Sequence, residues 1–133
     1  MRCFMNAEKF FKQMYFDIWQ SNNLNKLDDY YAREFQETVQ FSDDNKQPIE
    51  LNMNYDDLTR QAKWQAETYE DTTFEIKKIT ASNGNHIAVH FYSTSIVKQT
   101  GELRHRCVCG IWHLNEENKI DRVWAVVTPY YSD

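Results

Sequence analysis

Residues 86–128 read HIAVHFYSTSIVKQTGELRHRCVCGIWHLNEENKIDRVWAVVT, and this stretch decides the fold. Apolar and polar residues alternate with a period of two, broken at Gln99-Thr100-Gly101 and at Asn115-Glu116-Glu117-Asn118. The pattern predicts strands over 86–97, 103–114 and 119–129. The links are short turn chemistry, so neighbouring strands run antiparallel. A further strand is predicted over 72–81, joined through Ser82-Asn83-Gly84-Asn85. Gly101 suits the left-handed position of a three-residue hairpin loop, which pairs Lys98 with Glu102, hence His90 with Gly110 and Tyr92 with Val108. That register places Ala88, His90, Tyr92, Arg106, Trp112 and Trp124 on one face. It places Ile87, Val89, Phe91, Cys107, Cys109, Ile111, Val123, Ala125 and Val127 on the other. Both faces are largely apolar, so both need a cover.

Upstream the period lengthens. Ala7, Phe10, Phe11, Met14, Tyr15, Ile18 and Trp19 recur on one helical face, and Asn6 is placed to cap it. A short helix over about 25–32 follows, with Leu27, Tyr30 and Tyr31 on its apolar side. Phe35, Glu37, Val39 and Phe41 alternate as a strand, and residues 42–48 read as a loop. Asn54 opens a third helix that runs to about Glu70, with Asp56 and Asp57 favouring its N-terminal end. Helices followed by a meander make an α+β pattern with the helices on one face of the sheet, and residues 1–133 read as one domain. The second face is then left for another copy of the chain, a homodimer.

The chain has 133 residues and a net charge of −5, with 15% aromatic residues and only 3 Gly and 2 Pro. Low Gly and Pro exclude collagen-like and linker-like classes. An acidic chain lacks the basic footprint of a nucleic-acid binder. Glu8, Lys9 and Lys12 interrupt the N-terminal apolar residues, so neither a signal peptide nor a membrane span is expected. Cys3, Cys107 and Cys109 are an odd set, and the last two are too close along a strand to pair, so reduced thiols and a cytoplasmic setting are expected.

The first helix with its SNNLNKLDDYY ending, and the stretch GIWHLNEENKIDRVWAVVT, resemble the nuclear-transport-factor-2-like superfamily, within it the SnoaL-like polyketide cyclase and ketosteroid isomerase group. The resemblance spans about residues 6–129. It implies a curved antiparallel sheet wrapped around N-terminal helices as an open, cystatin-like cone. It also implies a pocket at the cone's mouth and dimerisation through the outer sheet face. The ketosteroid isomerase oxyanion tyrosine falls on Tyr15. The isomerase base position falls on Val39, its second oxyanion donor on Gly110, and the cyclase aspartate on Thr128. None of these three can supply a carboxylate, so the reactions do not transfer with the fold.

His90 is either a general base or a core histidine bonded to a neighbour such as Tyr92. Tyr15 either donates a hydrogen bond to a carbonyl or enolate oxygen or packs in the core. Arg106 either clamps a carboxylate or forms a rim ion pair. Trp19, Tyr92, Trp112 and Trp124 would line a flat apolar pocket or fill the core. His105, Cys107, Cys109 and His113 share a face without metal-ligand spacing, so no metal and no cofactor are expected. The acidic doublets Asp28-Asp29, Asp43-Asp44 and Glu116-Glu117 read as solvation and helix-dipole compensation. The resulting expectation is a pocket for a hydrophobic, ring-shaped or polyketide-like molecule, with lyase, isomerase or cyclase chemistry implied by the resemblance. The alternative is a non-catalytic binding or dimerising scaffold.

Overall fold

The computed structural model describes residues 6–42, 45–82 and 85–128. Cys3, the Asp43-Asp44 doublet, Asn83-Gly84 of one link and residue 129 of the last expected strand lie outside the described residues.

Helix α1 spans Ala7–Met14 and is capped as expected: the Lys9 amide donates to Asn6 Oδ1 at 2.9 Å. The chain then widens into a π-helical turn, Tyr15–Gln20, closed by bonds such as Ser21 N–H to the Phe16 carbonyl at 2.8 Å. A 3₁₀ turn, Leu24–Lys26, leads into the single turn of α2, Leu27–Tyr30. The strand expected from Phe35 begins already at Tyr31: β1 spans Tyr31–Ser42. Beyond the expected loop lies β2, Pro48–Asn54, an edge strand paired antiparallel with β1 (Val39 opposite Leu51). Helix α3, Tyr55–Thr68, starts at a capping box in which the Asp57 amide donates to Asn54 Oδ1 and the Asn54 amide to Asp57 Oδ2, each at 3.0 Å. The meander follows as β3 Tyr69–Ala81, β4 His86–Val97, β5 Leu103–Leu114 and β6 Ile120–Val127.

The six strands form one curved sheet in the order β2-β1-β6-β5-β4-β3. The α+β class and cone shape hold, with one parallel pairing, β1 against β6, where Glu37 lies opposite Val123. The helices fill the concave side. Phe11, Met14 and Ile18 are fully buried, and the Phe11 ring meets Trp112 edge-on at 4.9 Å and Phe91 at 5.7 Å. No helix is long and apolar enough to cross a membrane among the described residues.

Two register details correct the face assignment. The β4–β5 loop has four residues, not three: the Val97 amide donates to the Glu102 carbonyl at 2.9 Å, and Gly101 closes the loop at φ +76°. Val89 therefore faces Gly110, and His90 faces Cys109. A one-residue slip exchanges every side chain of β4 between faces. At the next hairpin Leu114 pairs with Ile120 while His113 pairs with Arg122, so Asp121 is an extra, bulged residue that flips the rest of β6. Ile87, Val89, Phe91, Val123 and Ala125 are thus buried on the concave side. His90, Tyr92, Arg122 and Trp124 stand on the convex side with Cys107, Cys109 and Ile111.

Candidate functional site

A cavity of about 330 Å³ opens between the π-helical turn, α3 and the concave face of the sheet. That volume suits a small organic ligand. Tyr15 and Trp19 come from the π-helical turn, one widened turn apart, with 6.3 Å between ring centroids. Such π segments often sit at functional sites because they re-aim side chains that a regular helix would turn away. Tyr15 is half-buried and wedged among Phe11, Phe74 and Phe91 at 4.8–5.0 Å. Trp19 is held in place: its Nε1–H donates to Tyr31 Oη at 3.3 Å, and Tyr31 Oη donates to Met14 Sδ at 3.4 Å. Burial drives the Tyr31 phenol upward, so it stays a neutral donor.

The floor is made by Trp112 lying along the sheet. A Cβ on Gly110 would sit 2.9 Å from the Trp112 ring and 2.9 Å from the Trp124 carbonyl oxygen. Glycine at this position is what lets the indole lie flat beside the strand. Val108, Ala125 and Val39 extend the apolar surface, and Leu51 and Met53 of β2 close the far wall.

Two charged groups line this apolar space, Arg106 and Glu37. Arg106 Nε donates to the Thr128 carbonyl at 3.2 Å, which fixes the guanidinium stem at the end of β5. Glu37 is half-buried on β1, and loss of hydration pushes its carboxyl up to about 7, although the positive charges of Arg106 and Arg122 pull the other way. A carboxyl poised near neutrality is suited to accept a proton. Sequence reasoning passed over Glu37 as a strand residue. The signal was present: Phe35, Glu37, Val39 and Phe41 share one face, and a carboxylate in an apolar register is costly unless it has a use.

Of the residues singled out from sequence, Tyr15, Trp19, Arg106 and Trp112 converge on this cavity. His90, Tyr92 and Trp124 do not; the shifted registers place them on the convex side. There His90 Nε2 lies 3.3 Å from Cys107 Sγ and its ring packs edge-on against Tyr92. The Arg122 guanidinium covers the Trp124 ring at 4.7 Å. His113 Nδ1 lies 2.6 Å from Asp121 Oδ1 at the bulge. Among the described residues no group of three or more His, Cys, Asp or Glu could hold a metal ion.

Residues 13–123 match the SnoaL-like domain. No curated protein sequence matches the chain. Solved structures share the fold. A candidate polyketide cyclase from Acidithiobacillus ferrooxidans is 18% identical with a TM-score of 0.70, over 96% of this chain and 91% of that one. A candidate isomerase from Rhodopseudomonas palustris is 5% identical with a TM-score of 0.74, over 94% and 91%. An epoxide hydrolase from M. tuberculosis is 11% identical with a TM-score of 0.63, over 91% and 81%. At these identities the likeness is one of fold.

Proposed function

The chain belongs to the SnoaL-like domain family, and on that premise we propose that its concave cavity binds a hydrophobic, ring-shaped small molecule and that Glu37 takes a proton from the carbon beside the ligand's carbonyl. The observation that carries the reading is a carboxyl in the cavity wall raised to about 7 by burial. Glu37 lies two residues before Val39 on the same side of β1, so it supplies the base that the resemblance lacked at Val39. The ionised Glu37 accepts the proton, and the C–H electron pair moves into the carbonyl to form an enolate. Tyr15 and Arg106, both lining the cavity, stabilise the developing oxyanion. With a C=C bond next to the deprotonated carbon the product is a dienolate, and return of the proton from Glu37 to its far carbon completes an isomerisation; attack of the enolate carbon on a second carbonyl instead forms a C–C bond and an alkoxide, which takes the proton back from Glu37 to complete a cyclisation. His90 takes no part, because its ring is on the other side of the sheet.

A scaffold role stands beside this reading, supported by the convex face. Tyr92, Ile111, Trp124 and Val126 are 44%, 42%, 41% and 58% exposed there and form an apolar area that a partner can cover. A second copy of the chain covering this face makes a homodimer whose two cavities open away from the contact. Reduced Cys107 and Cys109 suit a cytoplasmic setting.

The test is deuterium exchange at the activated carbon of β-tetralone, a two-ring ketone, followed by proton NMR. The wild-type protein should accelerate exchange over buffer, and Glu37→Gln should lose at least about a hundredfold of that acceleration. Equal rates for both proteins remove Glu37 from the mechanism; binding without any acceleration leaves the scaffold role.

A further inference from the structure

The convex face of the sheet carries chemistry that the concave cavity does not use. Two thiols stand on it from β5, Cys107 and Cys109, and both are free. Cys109 is the more exposed, since Cys107 is half-buried. Yet Cys107 is the thiol with a base beside it: His90 Nε2 lies 3.3 Å from its Sγ. The ladder sets His90 opposite Cys109, but its ring leans along the strand toward Cys107. Tyr92, the ladder partner of Cys107, packs edge-on against that ring at 5.5 Å and holds it there. The strand beneath the thiol is fixed as well. The Cys107 amide donates to Thr128 Oγ1 at 2.8 Å, and its carbonyl accepts from the Thr128 amide at 3.0 Å. A nucleophile, a base in reach and a group that orients the base are the parts of an activated thiol. Lys77 covers the Tyr92 ring at 4.9 Å, and Lys78 is the ladder partner of His90, while Glu75 pairs with Lys77 at 2.7 Å. Reactive thiols favour such basic, partly exposed settings.

A second observation on the same face points to what this thiol takes. His90 also lines a groove of about 490 Å³, together with Ala88, Cys109, Ile111, Trp124 and Val126. The small side chains of Ala88 and Cys109 leave the depression, and the larger ones wall it. Its volume is in the range of small-molecule sites. Cys107, Cys109 and Ile111 share one face of β5, so the thiol and Ile111 stand about 14 Å apart, the reach of a medium-length alkyl tail. We propose that Cys107 and His90 form a second reactive site, at which the thiol adds to an α,β-unsaturated carbonyl compound whose alkyl tail lies in the groove. His90 Nε2 takes the thiol proton when its own proton is on Nδ1. The sulfur forms a bond to the β-carbon, and the C=C electron pair moves onto the carbonyl oxygen as an enolate. His90 then returns the proton to the α-carbon. The product is a saturated carbonyl thioether, with no leaving group and no external oxidant or reductant. This site uses the opposite side of the sheet from Glu37, so it stands or falls independently of the concave cavity.

The experiment treats the native protein with trans-3-nonen-2-one or trans-3-penten-2-one, whose β-carbons carry a pentyl and a methyl group. Intact mass reads the rate, and fragmentation of the peptide that holds both cysteines reads the site. With the nonenone, Cys107 should react at least about tenfold faster than the more exposed Cys109, a modest share of what a positioned base supplies. His90→Gln should slow Cys107 by about tenfold and leave Cys109 within about twofold, a split that general loosening of the sheet does not produce. With each rate referred to that of glutathione, the nonenone should outpace the pentenone at Cys107 by at least about fivefold, the gain from burying between one and two methylene groups. First reaction at Cys109, or at any other residue, overturns the proposal. So does a His90→Gln variant that leaves Cys107 unchanged or alters both thiols alike. Equal relative rates for the two enones overturn the groove as the seat of the tail, and with it the ligand class. Thiols that stay unmodified in the native protein and react only in urea overturn the proposal too, whether the sheet or a second copy shields them.

Discussion

Replacing Glu37 with Gln keeps the shape of the side chain and removes its proton equilibrium, so it isolates the cost of holding a carboxyl in the cavity wall. The folded protein raises this carboxyl from 4.5 to about 7. At about 1.4 kcal/mol per pH unit the change corresponds to about 3 kcal/mol, reduced to about 2 kcal/mol by the water that reaches a half-buried group. The sign follows from proton counting. Between about pH 4.5 and about pH 7 the unfolded chain has released this proton and the folded chain still holds it, so stability falls as pH rises through that window. Glu37→Gln has no such loss. Urea denaturation of both proteins, at one fixed protein concentration, should give similar stabilities near pH 4 and a variant more stable by about 2 kcal/mol near pH 8. A gap that stays flat across the window, or a variant that loses stability relative to wild type as pH rises, refutes the reasoning. A base that weakens the fold it serves is the expected trade between activity and stability.

Gly110→Ala should destabilise the fold by at least about 2 kcal/mol in urea denaturation, because the new methyl meets a backbone carbonyl that cannot move aside. An unchanged midpoint contradicts the account of the cavity floor. Ile111→Asp should yield a folded monomer by light scattering after size exclusion, since Ile111 is on the exposed convex side. Val89→Asp should instead fail to fold, since Val89 is 2% exposed on the concave side. Asn54→Ala removes the side-chain oxygen that accepts from the Asp57 amide and should cost about 1 kcal/mol in thermal unfolding, with no change in ligand binding.

The elements of the meander were legible because period-two alternation and turn residues are local signals: β4 and β5 occupy the ranges read from sequence. Their facing was not, because it depends on whether Lys98 joins the strand or the loop, and Gly101 serves a three- or four-residue loop equally well. The bulge at Asp121 was equally silent, since nothing in Asn115–Ile120 announces an extra residue beyond the turn. These two single-residue shifts moved His90, Tyr92 and Trp124 out of the expected pocket, while Trp112 and Arg106 on β5 kept their side. The parallel contact of β1 with β6 joins segments some 84 positions apart, as in the bond from Arg122 Nη2 to Thr38 Oγ1, and no local pattern encodes it. Glu37 was visible as a carboxylate in an apolar strand face. Its meaning needed that long-range contact, which closes the sheet around it and strips its water.

The central claim is that Glu37 is a cavity carboxyl held near neutrality. The most direct measurement is an NMR titration of the isotope-labelled glutamate carboxyl carbons, with the Glu37 resonance assigned by its absence in Glu37→Gln. The account expects its chemical shift to titrate with a midpoint at about 7. A midpoint close to the ordinary glutamate value of about 4.3 contradicts it.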